Sequence, residues 1–201
     1  MNSRYLFYAL TFLFCSLIIG CASFPGKELK YTYNQIVPRE PKPSIDYDES
    51  FYVLSEFIFA DRADDNHRGR MFHEEVDKVF TNSKAFSKIT PGTGYEPFHF
   101  SLICSYTIEI GLLDALGPLI EGISLTIIPS HWKANFELRV DVKKGNQILK
   151  QYRYENTCSH WSQLFLIFLT PTHFPFSVER AIMDDMLLNF LYDLEQDKLL
   201  Y

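Results

Sequence analysis

Apolar and polar positions alternate most regularly between residues 98 and 109. The apolar positions of this stretch are Phe98, Phe100, Leu102, Cys104, Tyr106 and Ile108. Because successive side chains of a strand point to opposite faces, the pattern predicts a half-buried strand with Cys104 in the core. A similar alternation over residues 136–142, a turn at 143–146 and a return over 148–158 predict a β-hairpin. Shorter aromatic and β-branched runs predict strands at residues 51–59, 86–89 and 123–128.

Two stretches have helical periodicity instead. Phe72, Val76, Val79 and Phe80 fall on one face of a predicted helix over residues 67–84. A final helix is predicted from Ser177 as its N-cap. Its apolar stripe consists of Val178, Ile182, Met186, Phe190 and Leu194. The order of elements predicts an α+β fold, an antiparallel or mixed sheet of about five or six strands with two helices packed on one face.

Two apolar inserts interrupt this pattern, at residues 111–129 and 161–176. The second contains no Asp, Glu, Lys or Arg, and the first cannot be a spanning helix because Pro and Gly break it. Ser-His-Trp occurs beside each insert, at 130–132 and 159–161. A hairpin turn at 144–145 places His131 opposite Cys158 and Trp161 opposite Ile128. Both His-Trp pairs are therefore predicted at one end of the hairpin.

Two interpretations of this end remain open. Trp favours membrane–water interfaces, so the end is either an apolar tip that meets lipid or a partner protein, or a pair of inserts that complete the core. The candidate contact residues are Trp132, Trp161, Leu164, Phe165, Ile167 and Phe168.

The amino end has the features of an export signal. One cation, Arg4, precedes an uncharged apolar run over residues 5–19, which is of secretory length. Gly20 follows the branched apolar residues 17–19 and directly precedes Cys21. This order is similar to the lipobox of bacterial lipoproteins. The resemblance implies cleavage before Cys21, acylation of its thiol and amino group, and no aspartate-type retention signal at Ala22.

This resemblance leads to an expected domain organisation. Residues 1–20 are expected to be a signal peptide, residues 21–50 a lipidated N-terminus with a Pro-rich tether, and residues 51–201 a single α+β domain. A coil of this length reaches roughly 30 Å. We expect lipid anchoring in the outer membrane of a Gram-negative cell, with the domain facing the periplasm.

Cys104 and Cys158 would remain in the exported domain. In an oxidising compartment they form a possible disulfide, and the alternative is two buried free thiols.

Composition and motifs argue against several classes of function. The chain carries a net charge of −6 without a basic stripe, so nucleic acid is not an expected partner. His131, His160 and Cys158 lack a fourth ligand for zinc, and no calcium loop, zincin, nucleotide-binding or nucleophile-elbow motif occurs. We therefore expect no cofactor, no metal, no small-molecule substrate and no enzymatic activity.

Over residues 50–200 the order of elements resembles the small domains of periplasmic lipoproteins, including penicillin-binding-protein activators and the curli-secretion lipoprotein. This resemblance implies a non-enzymatic, lipid-anchored envelope protein that binds another envelope protein. The alternative that it implies is an oligomeric outer-membrane secretion or channel component that inserts residues 111–129 and 161–176.

Overall fold

The computed structural model describes residues 20–30, 32–38, 40–55, 62–92, 96–109, 130–163 and 174–200. These residues form an α+β fold, as predicted. Its strands are β1 (Gly20–Pro25), β2 (Ser44–Ser55), β3 (Lys88–Pro91), β4 (Phe98–Glu109), β5 (Ser130–Lys144) and β6 (Gln147–Gln163). Its helices are α1 (Arg62–Ser83) and α2 (Pro175–Asp197), and a single 3₁₀ turn occupies Tyr33–Gln35.

The six strands form one mixed sheet in the order β1-β6-β5-β4-β2-β3. β4, β5, β6 and β1 pair antiparallel, whereas β2 runs parallel to both β3 and β4. The parallel pairing follows from α1, because a chain that leaves β2 through a helix returns in the same direction. The sheet therefore has β1 at one edge and β3 at the other.

Both helices pack on one face of the sheet and contact each other. Alternate residues of β4 point into this layer, and their burial follows the period of two that the sequence shows. The apolar stripe of α1 is buried at Phe72, Val76, Val79 and Phe80, and α2 buries both its predicted stripe and neighbouring residues. Edge-to-face ring pairs such as Phe100 with Phe190, whose centroids are 5.4 Å apart, join the sheet to α2.

The structure differs from the predicted tether over residues 21–50 at both ends of that range. Gly20–Pro25 is an edge strand paired with β6, and Ser44 already begins β2. The connecting segment lies on α2, where the backbone N–H of Lys30 donates to Asp185 (2.7 Å) and the Tyr33 hydroxyl donates to Asp184 (3.1 Å). Backbone pairing and these contacts hold a segment whose composition is typical of a coil.

Several boundaries also differ from the prediction. The first strand of the domain begins at Ser44 rather than at residue 51, because Asp46 and Asp48 on its outer face interrupt the apolar pattern, and residues 56–59 lie outside the described residues. The last helix begins at Pro175 with Phe174 as N-cap, so Ser177 is inside the first turn. Asp185 on this helix is buried, where it accepts the Lys30 hydrogen bond. None of the described helices is long and apolar enough to cross a membrane.

Candidate functional site: the His-Trp end of the sheet

The two Ser-His-Trp sequences pair with each other across β5 and β6. Trp132 lies opposite His160 and His131 opposite Trp161, and we refer to these four residues as the His-Trp end. They share one end of the hairpin, as predicted, but the register is three residues away from the expected one. Cys158 lies opposite Ala134 instead of His131, because the turn is at Gly145–Asn146 and a bulge follows Val142.

The two His-Trp pairs lie on opposite faces of the sheet. On the helix-covered face, the rings of Trp132 and His160 stack with centroids 3.7 Å apart and an interplanar angle of 15°. On the outer face, the rings of His131 and Trp161 are 4.4 Å apart and inclined at 43°. Trp132 packs against the core, whereas Trp161 is 38% exposed. Trp132 is therefore partly buried against the core, and its role as a membrane or partner contact stays a prediction.

A buried polar cluster lies under the inner pair. His160 Nδ1 shares a hydrogen bond of 2.6 Å with the Ser23 hydroxyl of β1, and its Nε2 is 3.6 Å from Glu179 Oε1 on α2. Burial, with smaller contributions from Arg68 and His131, lowers the pKa of His160 to about 4. His160 is therefore neutral at physiological pH, and its contact with Glu179 is not an ion pair.

Glu179 is instead neutralised by Arg68 of α1. Arg68 Nε and Nη2 donate to the two carboxylate oxygens at 2.9 and 3.0 Å, and both side chains are buried. The guanidinium also lies 4.4 Å from the centroid of the Tyr106 ring. This bidentate pair joins α1, α2 and the sheet at the same level as His160.

Ser23, His160 and Glu179 are the residue types of an acyl-transfer triad, but their environment is that of a structural cluster. Ser23 has no exposed surface and its hydroxyl is engaged by His160, so a substrate has no access to it. Cys158 nearby is buried too, and burial together with the Glu179 charge raises the pKa of its thiol to about 12. The arrangement therefore stabilises the junction of β1, β6, α1 and α2.

This cluster was not predicted from the sequence, although the sequence contains a signal for it. Arg68 precedes Phe72 by four residues and so extends the apolar stripe of α1. Glu179 precedes Met183 by four residues and lies on the buried side of α2 in the same way. A charged residue in line with each of two facing stripes indicates a buried ion pair.

Cys21, the predicted lipidation residue, lies at the same end. Its backbone pairs with Ser162, and the next residue, Ala22, pairs with Trp161. The Cys21 side chain is exposed, whereas Ala22 and Ser23 have no exposed surface. The other predicted contact residues, Leu164, Phe165, Ile167 and Phe168, lie outside the described residues, and so does the insert at 111–129.

Of the two alternatives for Cys104 and Cys158, the structure has the free, buried thiols and not the possible disulfide. They occupy β4 and β6 with β5 between them, and their partners on β5, Leu138 and Ala134, are four residues apart. Strand spacing and rise then separate the two Cα atoms by on the order of 16 Å, far beyond disulfide reach. Within the described ranges, no group of three or more His, Cys, Asp or Glu residues could hold a metal ion.

A second notable surface lies on the outer face at β2. Tyr52, Leu54 and Ile103 are exposed by 53%, 54% and 39% and lie on neighbouring strands. β3 pairs only with residues 44–47 of β2, so no described strand pairs with the outer edge of residues 48–55. We refer to residues 48–55 of β2, together with Ile103 of β4, as the β2 edge.

No known protein family matches the sequence, and no curated protein matches it. The fold is similar to that of a neuraminyllactose-binding hemagglutinin homologue from Helicobacter pylori. The TM-score is 0.47, with 6% identity over 83% of this chain and 90% of that one. A dodecameric PelC variant from Paraburkholderia phytofirmans gives a TM-score of 0.23, with 5% identity over 81% of this chain and 97% of that one. Both values are too low for either likeness to carry an argument about function.

Proposed function

We propose that this protein is a non-enzymatic cell-envelope lipoprotein that is anchored through Cys21 and binds another envelope protein. Residues 1–20 are a signal peptide in this proposal, and the domain faces the periplasm from the outer membrane of a Gram-negative cell. The exposure of Cys21 is the observation that carries the anchoring, because acyl chains on its sulfur would not disturb the buried Ala22 and Ser23. Several chains on one residue make release from a bilayer negligible.

The β2 edge is the surface that best supports a protein partner. No described strand pairs with the outer backbone groups of residues 48–55, so they can accept a further strand, and Tyr52, Leu54 and Ile103 supply apolar contacts beside it. Exposed strand edges with large apolar residues are otherwise a cause of aggregation, so a bound partner gives this surface a function. The partner that fits this surface is a protein segment in extended conformation with apolar residues at alternate positions.

The test is photo-crosslinking in the native cell with a benzophenone amino acid at position 54. Ile148 is 49% exposed at the opposite end of the sheet, beside the hairpin turn, and serves as the matched control position. We expect one discrete adduct from position 54 and none from position 148. Adducts of equal yield from both positions, or from neither, would contradict partner binding at the β2 edge.

The second candidate is an oligomeric outer-membrane secretion or channel component that inserts residues 111–129 and 161–176. One observation favours it: β4 ends, β5 begins and β6 ends at the side of the sheet that carries Cys21. Both inserts are therefore attached next to the proposed anchor. The second insert, predicted at residues 161–176, is shorter than expected, because Trp161 and Ser162 belong to β6 and Pro175 begins α2.

Membrane extraction separates the two candidates. A chain with an ordinary cleavable signal peptide in place of residues 1–20 and the substitution Cys21→Ala has no acyl anchor. A lipoprotein that is held by its acyl chains alone becomes soluble in alkaline carbonate and monomeric in this variant. If the variant stays in the membrane fraction, the inserted channel component is the better account.

A further inference from the structure

We propose that the His-Trp end lies directly on a phospholipid bilayer, with Trp161 in the headgroup region. This inference rests on the proposed acylation of Cys21. It differs from a domain held off the membrane by a long tether, because the residues after Cys21 belong to the sheet. The lipid surface is therefore a second contact of the domain, separate from the β2 edge.

The proposed anchor, Cys21, lies close to Trp161. Cys21 pairs with Ser162, and Ala22 pairs with Trp161 itself. Adjacent strands are about 4.8 Å apart and successive residues about 3.3 Å, so an acylated sulfur begins within about 10 Å of the indole. Acyl chains that enter a bilayer at Cys21 therefore bring Trp161 to its surface.

Exposed aromatic residues lie on both sides of Cys21. Trp161 is on the outer face, and Phe174, at the start of α2, is 47% exposed on the helix side. α2 runs antiparallel to β6, since Tyr152 bonds to Asp197 and His160 lies near Glu179. Phe174 precedes Glu179 and so lies beyond His160, at the level of Cys21. Aromatic side chains at one level are typical of membrane interfaces.

Charged residues are distributed differently at the two ends of the sheet. Among the described residues of this end, the stretches Cys21–Phe24, residues 158–162 and residues 174–178 carry no Asp, Glu, Lys or Arg. On the neighbouring strands, Lys133 lies opposite Glu109, which balances its charge. The opposite end of the sheet carries Lys143, Lys144 and Lys150 near the turn. The parts of β1, β6 and α2 nearest Cys21 therefore carry no charge that a headgroup layer would have to desolvate, whereas α1, which begins at the same end, carries Arg62, Asp64 and Asp65.

Tryptophan fluorescence of the acylated protein in lipid vesicles tests the inference. The chain has two Trp residues, so Trp132→Phe leaves Trp161 as the only indole and Trp161→Phe leaves Trp132. Each variant is reconstituted in phosphatidylethanolamine–phosphatidylglycerol vesicles with and without a phosphatidylcholine that is brominated on its acyl chains. If Trp132→Phe does not fold, the difference between wild type and Trp161→Phe gives the contribution of Trp161.

We expect brominated lipid to cause about a twofold loss of Trp161 fluorescence, because an interfacial indole reaches the acyl-chain boundary. Trp132 is shielded by its stack on His160, so its fluorescence should change little. Equal emission of Trp161 in both lipids would overturn the inference. The intact mass of the same sample shows whether a negative result refutes the membrane contact alone or the proposed acylation as well. An acylated protein with an unquenched Trp161 refutes only the membrane contact, whereas a protein without acyl groups refutes the proposed function and this inference with it.

Discussion

Trp132 stacks on His160 across β5 and β6, with ring centroids 3.7 Å apart, and the inverse pair, His131 and Trp161, lies on the other face of the same two strands. The repeated Ser-His-Trp sequence therefore pairs with itself, His opposite Trp, in an antiparallel ladder. One pair belongs to the core and the other to the surface beside Cys21. The same three-residue sequence thus has a structural role on one face and a proposed membrane role on the other.

We expect the buried His160 to make the protein less stable in acid. Its pKa is about 4 in the folded protein against an ordinary value of 6.5, so between these pH values the unfolded chain binds a proton that the folded protein does not. The contribution of His160 to the free energy of unfolding is complete above pH 6.5 and falls by about 3 kcal/mol towards pH 4. Urea unfolding at a series of pH values measures this change in the free energy of unfolding.

The variant His160→Gln should show a flatter pH dependence than the wild type over this interval, because it removes the group that titrates there. Equal pH slopes for wild type and His160→Gln would contradict the assignment of a neutral His160.

The buried pair of Arg68 and Glu179 gives a second prediction. Arg68→Met leaves the Glu179 carboxylate buried without its bidentate partner, so the free energy of unfolding should fall by about 3–5 kcal/mol. The double variant Arg68→Met/Glu179→Leu removes both charges and should recover most of this loss. Arg153→Met, at a surface pair on the outer face, should cost less than about 1 kcal/mol. A double variant as unstable as the single one would show that the pair acts through packing alone.

Docking of β1 gives a third prediction, because it depends on Gly26. A Cβ at this position would lie 1.7 Å from the Thr157 hydroxyl oxygen, where the backbone N–H of Gly26 donates to the Thr157 carbonyl at 2.6 Å. Gly26→Ala should therefore release β1 and increase hydrogen exchange at Ala22 and Ser23. Thr157→Ala in the same chain should restore part of the protection. Unchanged exchange in Gly26→Ala would support the tether that the sequence predicts.

The cysteines give a fourth prediction. Burial raises the pKa of the Cys104 and Cys158 thiols, and no disulfide joins them. In a chain carrying Cys15→Ser and Cys21→Ser, a maleimide of high mass should add to neither thiol in the native protein. After unfolding without reductant, it should add to both, which an electrophoretic shift measures. A denatured chain that needs reductant for labelling would contain the disulfide after all.

The sequence predicted the fold where a pattern of burial was long enough. The alternation over residues 98–109 coincides with β4, and the two apolar stripes identify α1 and α2. It failed for β1, whose small and polar residues have no period of their own. That strand is held by backbone bonds to β6 and by Ser23 on His160, which are long-range contacts. Local pattern carries no information about such partners.

The candidate site was predicted in the same uneven way. The sequence predicted the shared end of the two Ser-His-Trp sequences, which the strand pairing confirms, while the lipidation of Cys21 stays a prediction. It did not predict that the two Trp residues lie on opposite faces, because a register shift of an odd number of residues changes which positions of the two strands share a face. It also missed that Asp185 and Glu179 are buried, because Lys30 and Arg68, which donate to them, each lie more than 100 residues away.

Mass spectrometry of the protein purified from its native membrane tests the central claim most directly. If a lipid on Cys21 holds the His-Trp end against the bilayer, the first residue of the mature chain is Cys21. Its amino-terminal peptide should then carry a diacylglyceryl thioether and an amide-linked acyl chain, and Ala22 should follow unmodified. A mature chain that begins elsewhere, or an unmodified Cys21, would contradict the account.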